Sequence, residues 1–249
     1  MRRRSTNHDR IIFNGHDLSS LVMCRMERPI MAPVEVSAGA VGGRHGEVFR
    51  SVRMQGYTVP VTVWIRSNDR RRVAEMRHRL AAMLWTEEPA PLYLPDDPTR
   101  YHLAVVDGDT NLGEITDDLP TTTINFRVCD PIAYGNSRTA ALATGDETHV
   151  SAGGTWESAP VVRSTTAGGT WRVRNATTNE FVEINADTVG ASIVGGQAIV
   201  CDMANERLTL NGLDVGVTAD SDFFTIEGNV ELEVVGGVST QMEWRERWM

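Results

Sequence analysis

One stretch of this chain has apolar residues at helical spacing, and nearly everything else alternates with the period of a strand. From Asp69 to Trp85, Val73, Met76, Leu80, Met83 and Leu84 recur at three- and four-residue intervals, with Ser67 and Asn68 as candidate N-caps and Pro89 past the end. The remaining faces carry Arg70, Arg71, Arg72, Arg77 and Arg79, the pattern of a solvated helix surface. A chain with a single such helix must bury its apolar surface between sheets, so the expected fold class is mainly β.

The strand signals differ between the two halves. In the first, Ile11-Ile12-Phe13 runs into Asn14-Gly15, a hairpin signal, and Val34 and Val36, then Val52 and Met54, suggest half-buried strands flanking a glycine-rich loop. Tyr57 to Ile65 is β-branched and aromatic at period two, and Pro60 within it predicts an edge position or a bulge, because proline cannot donate to a ladder. Shorter strands are expected at 92–94, 101–106 and 121–129, separated by turn chemistry such as Asp96-Asp97-Pro98 and Asp107-Gly108-Asp109. In the second half, candidate strands recur every 8 to 12 residues or so from Pro160 to Arg245, joined by Gly168-Gly169, Gly195-Gly196, Asn211-Gly212 and Gly236-Gly237. Trp171-Arg172-Val173-Arg174 and Phe223-Phe224-Thr225-Ile226 are among them, and the set predicts a β-sandwich of about eight strands.

Charge divides the chain at the same place. Residues 1 to 134 hold 17 Arg and 17 Asp+Glu, whereas residues 135 to 249 hold 7 Arg and 16 Asp+Glu, so the net −9 of the 249-residue chain lies wholly in the second half. Two domains with different surfaces follow: a basic arm over 1–10, a first domain over 11–135 with the helix at 69–85, and a sandwich over 136–249. All 24 basic residues are Arg, yet an acidic balance disfavours a protein that holds nucleic acid across its surface. Arg2-Arg3-Arg4 is followed by no apolar segment, so the start does not read as a secretory signal, and no apolar run approaches the ~18 residues of a membrane span.

No arrangement of residues suggests catalysis, a metal or a cofactor. Cys24, Cys129 and Cys201 are widely separated and read as buried, inert thiols. Gly42-Gly43-Arg44-His45-Gly46 lacks the Lys-Ser/Thr of a phosphate loop, and the six histidines show no metal-binding pair. Asp96-Asp97 and Asp117-Asp118 are adjacent acids in turn-like sequence rather than carboxylates set across a sugar. Trp156, Trp171, Trp244 and Trp248 read first as core anchors, with Trp171 the candidate for a weak sugar-stacking platform.

A series of short motifs in order gives the chain a family resemblance. Phe13-Asn14-Gly15, Gly43-Arg44-His45-Gly46, Leu92-Tyr93-Leu94-Pro95-Asp96-Asp97-Pro98 and Phe126-Arg127-Val128-Cys129-Asp130-Pro131-Ile132-Ala133-Tyr134-Gly135 lie in the first half. Pro160-Val161-Val162, Cys201-Asp202, Leu210-Asn211-Gly212, Ser221-Asp222-Phe223-Phe224, Glu227-Gly228-Asn229 and Trp244-Arg245-Glu246-Arg247-Trp248 follow in the second. Together they resemble the distal tail (Dit) proteins of long-tailed phages over nearly the whole chain. Arg2-Arg3-Arg4 and the loop Asp107 to Leu119 have no counterpart in that pattern.

The resemblance implies a β-barrel-like N-terminal domain with one packed helix and a galectin-like C-terminal sandwich. It also implies a structural, non-enzymatic role without cofactors, in a hexameric ring at the virion tail tip assembled in the host cytoplasm. One face of the ring would meet the tail-tube protein, and the other the tail-associated hub protein and, through it, fibres or receptor-binding proteins. Genome DNA would pass through the channel without specific binding, and nothing would insert in a membrane. A ring needs two heterologous surfaces that close by rotation. Gly43, Arg44, His45, Gly46 and Phe49, on the loop around Gly39 to Phe49, and the edge strand that follows are the candidate subunit contacts, because an unpaired strand can extend a neighbour's sheet. The competing expectation is a carbohydrate-binding adhesion protein acting through the C-terminal sandwich.

Overall fold

The computed structural model describes residues 10–65, 67, 69–112 and 120–249. The Arg2-Arg3-Arg4 arm, Asn68, Asp117-Asp118 and most of the unmatched loop's second part lie outside them. The chain forms two compact units, divided between Ala133 and Tyr134.

In the first unit the strands are β1 (Ile12–Phe13), β2 (His16–Asp17), β3 (Val22–Met26), β4 (Val34–Ala40), β5 (Glu47–Met54), β6 (Tyr57–Ile65), β7 (Ala90–Leu94), β8 (Asp97–Val106) and β9 (Thr121–Val128). Seven of them make one antiparallel, barrel-like sheet in the order β2-β1-β7-β8-β9-β6-β3. Alternation along β6 shows why it forms: Val59, Val61, Val63 and Ile65 are buried while Thr58, Thr62 and Trp64 lie on the outer face. Helix α1 (Arg70–Leu84) covers this core with Val73, Leu80 and Leu84. Its N-cap is Asp69, whose Oδ1 accepts from the Arg71 N–H at 2.9 Å, while Ser67, one of the expected caps, accepts from the Asp69 N–H.

Pro60 is not on an edge strand, because β6 pairs with both β3 and β9. Pro60 lies one residue beyond the last β3 pair, Met26–Val61, so its missing N–H falls where that ladder has already ended. The expectation of half-buried strands around 34–54 also fails in one respect. The strands β4 and β5 are present, but among the described residues they pair with no other strand, and they are exposed almost throughout.

The second unit is a sandwich. One sheet has the order β17 (Leu213–Asp214), β16 (Arg207–Leu210), β15 (Ala198–Asp202), β12 (Val161–Thr166), β19 (Gly237–Trp248), β10 (Ala133–Leu142). The other has the order β11 (Thr148–Ser151), β18 (Asn229–Val235), β13 (Trp171–Asn175), β14 (Glu180–Ile184). Their inner faces share one core, with Val162, Ile199, Cys201, Leu210 and Met242 from the first and Trp171, Val173, Val182, Ile184 and Leu232 from the second. The segment Phe223–Ile226 contributes only an isolated bridge, Ser158–Ile226, although Phe224 and Ile226 are buried. Strands β10 and β11 and the short helix α2 (Ala186–Val189) carry too little apolar alternation to have been foreseen.

Candidate subunit interface

The sequence-derived contact residues all fall on one element. Gly43, Arg44, His45 and Gly46 form the tip of the β4–β5 hairpin and Phe49 lies on its second strand. The tip closes with the Arg44 N–H donating to the Val41 carbonyl at 3.2 Å, and the positive φ of Gly43 (80°) and Gly46 (85°) explains the glycines there. A bulge interrupts the register between Ser37 and Ala38. Beside it the Arg50 guanidinium lies over Gly39, where a Cβ would come within 2.8 Å of its Nη2.

Register gives this ribbon two unlike faces. Val34 opposes Met54, Val36 opposes Val52 and Ala38 opposes Phe49, so one side is apolar. Glu35 opposes Arg53 and Ser37 opposes Ser51 on the other. Hydrogen bonds from Gln55 and Arg53, at 2.9 and 3.1 Å, hold the Glu35 carboxyl below its ordinary range. Only Met54, at the root, packs against the unit's own core. Further out the apolar side faces solvent, with Val36 60%, Val52 57% and Phe49 62% exposed.

Such a surface is costly to leave in water. Burying three side chains of this size is worth on the order of 5 kcal/mol, and a lone two-stranded ribbon is marginal without a covering layer. Among the described residues no strand pairs with either outer edge of the ribbon. Val34, Val36 and Val52 are contact residues that the sequence does not mark as such: their alternation is visible there, but alternation alone places an apolar side against the chain's own core.

The edge strand proposed as a further contact is displaced. With β6 paired on both sides, the strand edges available beside the tip are those of β4 and β5.

Trp171 cannot serve as a sugar platform. Its side chain is fully buried in the sandwich core, pointing opposite to Arg172 and Arg174, which pair with Glu183 and Glu233. A surface depression on the sandwich, about 630 Å³, runs beside β11 and β18 and is lined by His149, Ser151, Thr177, Asn229 and Glu231 with Val150 and Val230, and offers no Trp, Tyr or Phe face. Among the described residues no group of His, Cys, Asp and Glu is arranged to hold a metal ion. The thiols also differ from expectation: Cys201 is buried, with its pKa pushed up to about 12 by burial, but Cys24 is half-buried and Cys129 exposed.

Comparison with known proteins agrees with this architecture in both units. Residues 13–128 match the family described as phage tail protein RIFT-related domain, and residues 153–248 match the siphovirus-type tail component, C-terminal domain. Among solved structures, the chain is similar to the Dit protein of phage SPP1, described as a paradigm of the hub adsorption apparatus of phages infecting Gram-positive bacteria. That likeness covers 96% of this chain and 99% of the other at 16% identity, with a TM-score of 0.81. A chain of the phage P2 baseplate in its activated conformation with calcium aligns over 95% of this chain and 97% of its own at 9% identity, with a TM-score of 0.43. No curated protein sequence matches.

Proposed function

The chain belongs to the siphophage distal tail protein family, by the domains that fill its two halves, and is a structural hub component of the virion tail tip; we propose that it works there as one subunit of a closed ring. The observation that carries the proposal is the β4–β5 ribbon, an arm with one exposed apolar face and, among the described residues, two unpaired edges. An arm of this kind docks on a neighbour and leaves that neighbour's own arm for the next subunit, a heterologous contact that repeats until the rotation closes. Six subunits is the number implied by the family.

In this reading one face of the ring seats on the tail-tube protein. The other holds the tail-associated hub protein and, through it, the fibres or receptor-binding proteins. Genome DNA passes through the channel without specific recognition. Folding and ring closure take place in the host cytoplasm.

The test is the mass and negative-stain image of the purified protein and two arm variants. Phe49→Asp places a charge in the apolar face, and Arg44→Glu reverses the charge at the tip. Both should cut the ring population at least tenfold while shifting the unfolding midpoint by less than about 2 °C, since neither residue touches the core. Rings of unchanged mass and abundance in both variants would show that the arm is not the subunit contact.

A further inference from the structure

The hairpin joins the barrel-like sheet through two legs, and both meet one buried imidazole. The first leg, residues 27–33, carries Arg28, whose Nη1 donates to His102 Nε2 at 2.9 Å while its Nη2 pairs with Asp96 Oδ2 at 2.9 Å. Four residues on, Ala32 is buried in the core of the unit. The second leg leaves through Gln55, whose N–H donates to the Pro33 carbonyl at 2.8 Å. It then passes Gly56, where a Cβ would lie 2.7 Å from the Val128 carbonyl oxygen, so the leg is pressed against the end of β9. The next residue, Tyr57, sets its ring edge-on to the His102 imidazole, with centroids 6.1 Å apart at 82°.

His102 is a costly residue for a purely structural place. It is 6% exposed, and because Arg28 can only donate, its Nε2 must be the bare nitrogen and Nδ1 must carry the proton. That Nδ1–H is buried with no partner among the described residues, a desolvation cost that nothing repays locally. An apolar side chain would fill the site without that cost but would offer Arg28 no acceptor.

We propose that Arg28, held by His102 and Asp96, is the positioning residue of the arm: the three groups form a latch that fixes the direction of the β4–β5 ribbon before any neighbour binds. Its consequence for assembly rests on the ring reading. A ribbon held in one direction presents its apolar face without losing orientational freedom at docking, whereas a swinging one must be ordered at each contact. The charged and titratable groups around the imidazole are Arg28 on the first leg, Tyr57 on the second, Asp96 and Asp97 at the β7–β8 turn, and Asp130 beyond β9.

The experiment measures the arm directly in dilute, unassembled full-length protein. Spin labels are placed at Ser51→Cys on the ribbon and Ala82→Cys on the exposed side of α1, with Cys24 and Cys129 replaced by Ser, and the distance distribution is read by pulsed electron resonance. The parent should give a narrow distribution, R28Q should at least double its width, and R28K, which keeps the charge towards Asp96, should recover part of the sharpness. Since Arg28 is partly buried, D96N provides a second variant at a more exposed carboxylate and should broaden the distribution in the same sense. Unchanged widths in R28Q and D96N would overturn the latch. If the parent forms no ring but its narrow distribution broadens in R28Q, the ring reading fails and the latch stands.

Discussion

At the scale of single residues, His102 is where a local environment decides chemistry most visibly. Burial first, and then the Arg28 cation, push its pKa down to about 4, with Asp96, Asp97 and Asp130 pulling weakly the other way. The sign of the stability effect follows. Above pH ~6.5 the imidazole is neutral in both the folded and unfolded chain, so it adds no pH dependence. Between pH ~6.5 and about 4 the unfolded chain takes up a proton that the folded one refuses, so stability falls as the pH falls, by up to about 3 kcal/mol in all. Denaturant unfolding measured from pH 7.5 to 4.5 should show this slope, and H102L should flatten it. The lowered carboxylates Asp17, Asp97 and Glu246 act in the same direction but over a more acidic window, below the ordinary carboxylate range. No sequence pattern distinguishes His102 from the other five histidines, because its partners lie 74 residues upstream and at the far end of a turn.

Among the elements, α1 was the most legible and the hairpin the least completely read. The helix face Val73, Leu80, Leu84 follows from spacing alone, since an apolar stripe at 3.6-residue period has one stable use in a domain with one helix. The sequence offers Ser67 and Asn68 as N-caps, whereas the cap is Asp69, because all three residue types can cap and only the path of the preceding chain selects among them. Asp69→Ala should lower stability by about 1 kcal/mol, read as a shift in the denaturation midpoint, as the Arg71 N–H loses its acceptor and the N-terminal end of the helix dipole loses a carboxylate beside it. For β4 and β5 the existence of strands was readable from Val34, Val36, Val52 and Met54, and their tip from Gly43 and Gly46. Their exposure was not, because alternation records that one face is apolar and carries no information about what covers it. Strand β10 shows the opposite case: Tyr134-Gly135-Asn136-Ser137-Arg138 has little of the expected alternation, and it is a strand because β19 supplies the ladder.

For the whole molecule, the charge split acquires a structural meaning. In the sandwich Arg138, Arg163, Arg172, Arg174 and Arg207 are in ion pairs, with Glu246, Glu243, Glu183, Glu233 and Asp214. Arg245 and Arg247 point to the Gly135 and Glu157 carbonyls. The acidic surplus is therefore borne by exposed residues such as Asp146, Glu147, Asp187 and Asp220. In a ring of several copies this surplus repels, and salt screens it over roughly 8 to 10 Å at moderate ionic strength. If the subunit contact is the apolar face of the ribbon, raising salt to about 0.5 M should leave the ring population unchanged or larger by mass photometry; dissolution of rings by salt would show that ion pairs, and not Val36, Val52 and Phe49, hold them. The sequence by itself determined the β-rich class, the long helix α1, the charge of each half and the family, since each depends on local periodicity, on composition or on motifs in order. Only the tertiary structure decided that Trp171 is a core residue, that Pro60 lies within a central strand, and that the β4–β5 ribbon stands apart on a latch made by Arg28, Asp96 and His102. The physical reason is the same in each case: a residue's neighbours along the chain set its conformation, but its exposure and partners are set by segments that only folding brings beside it.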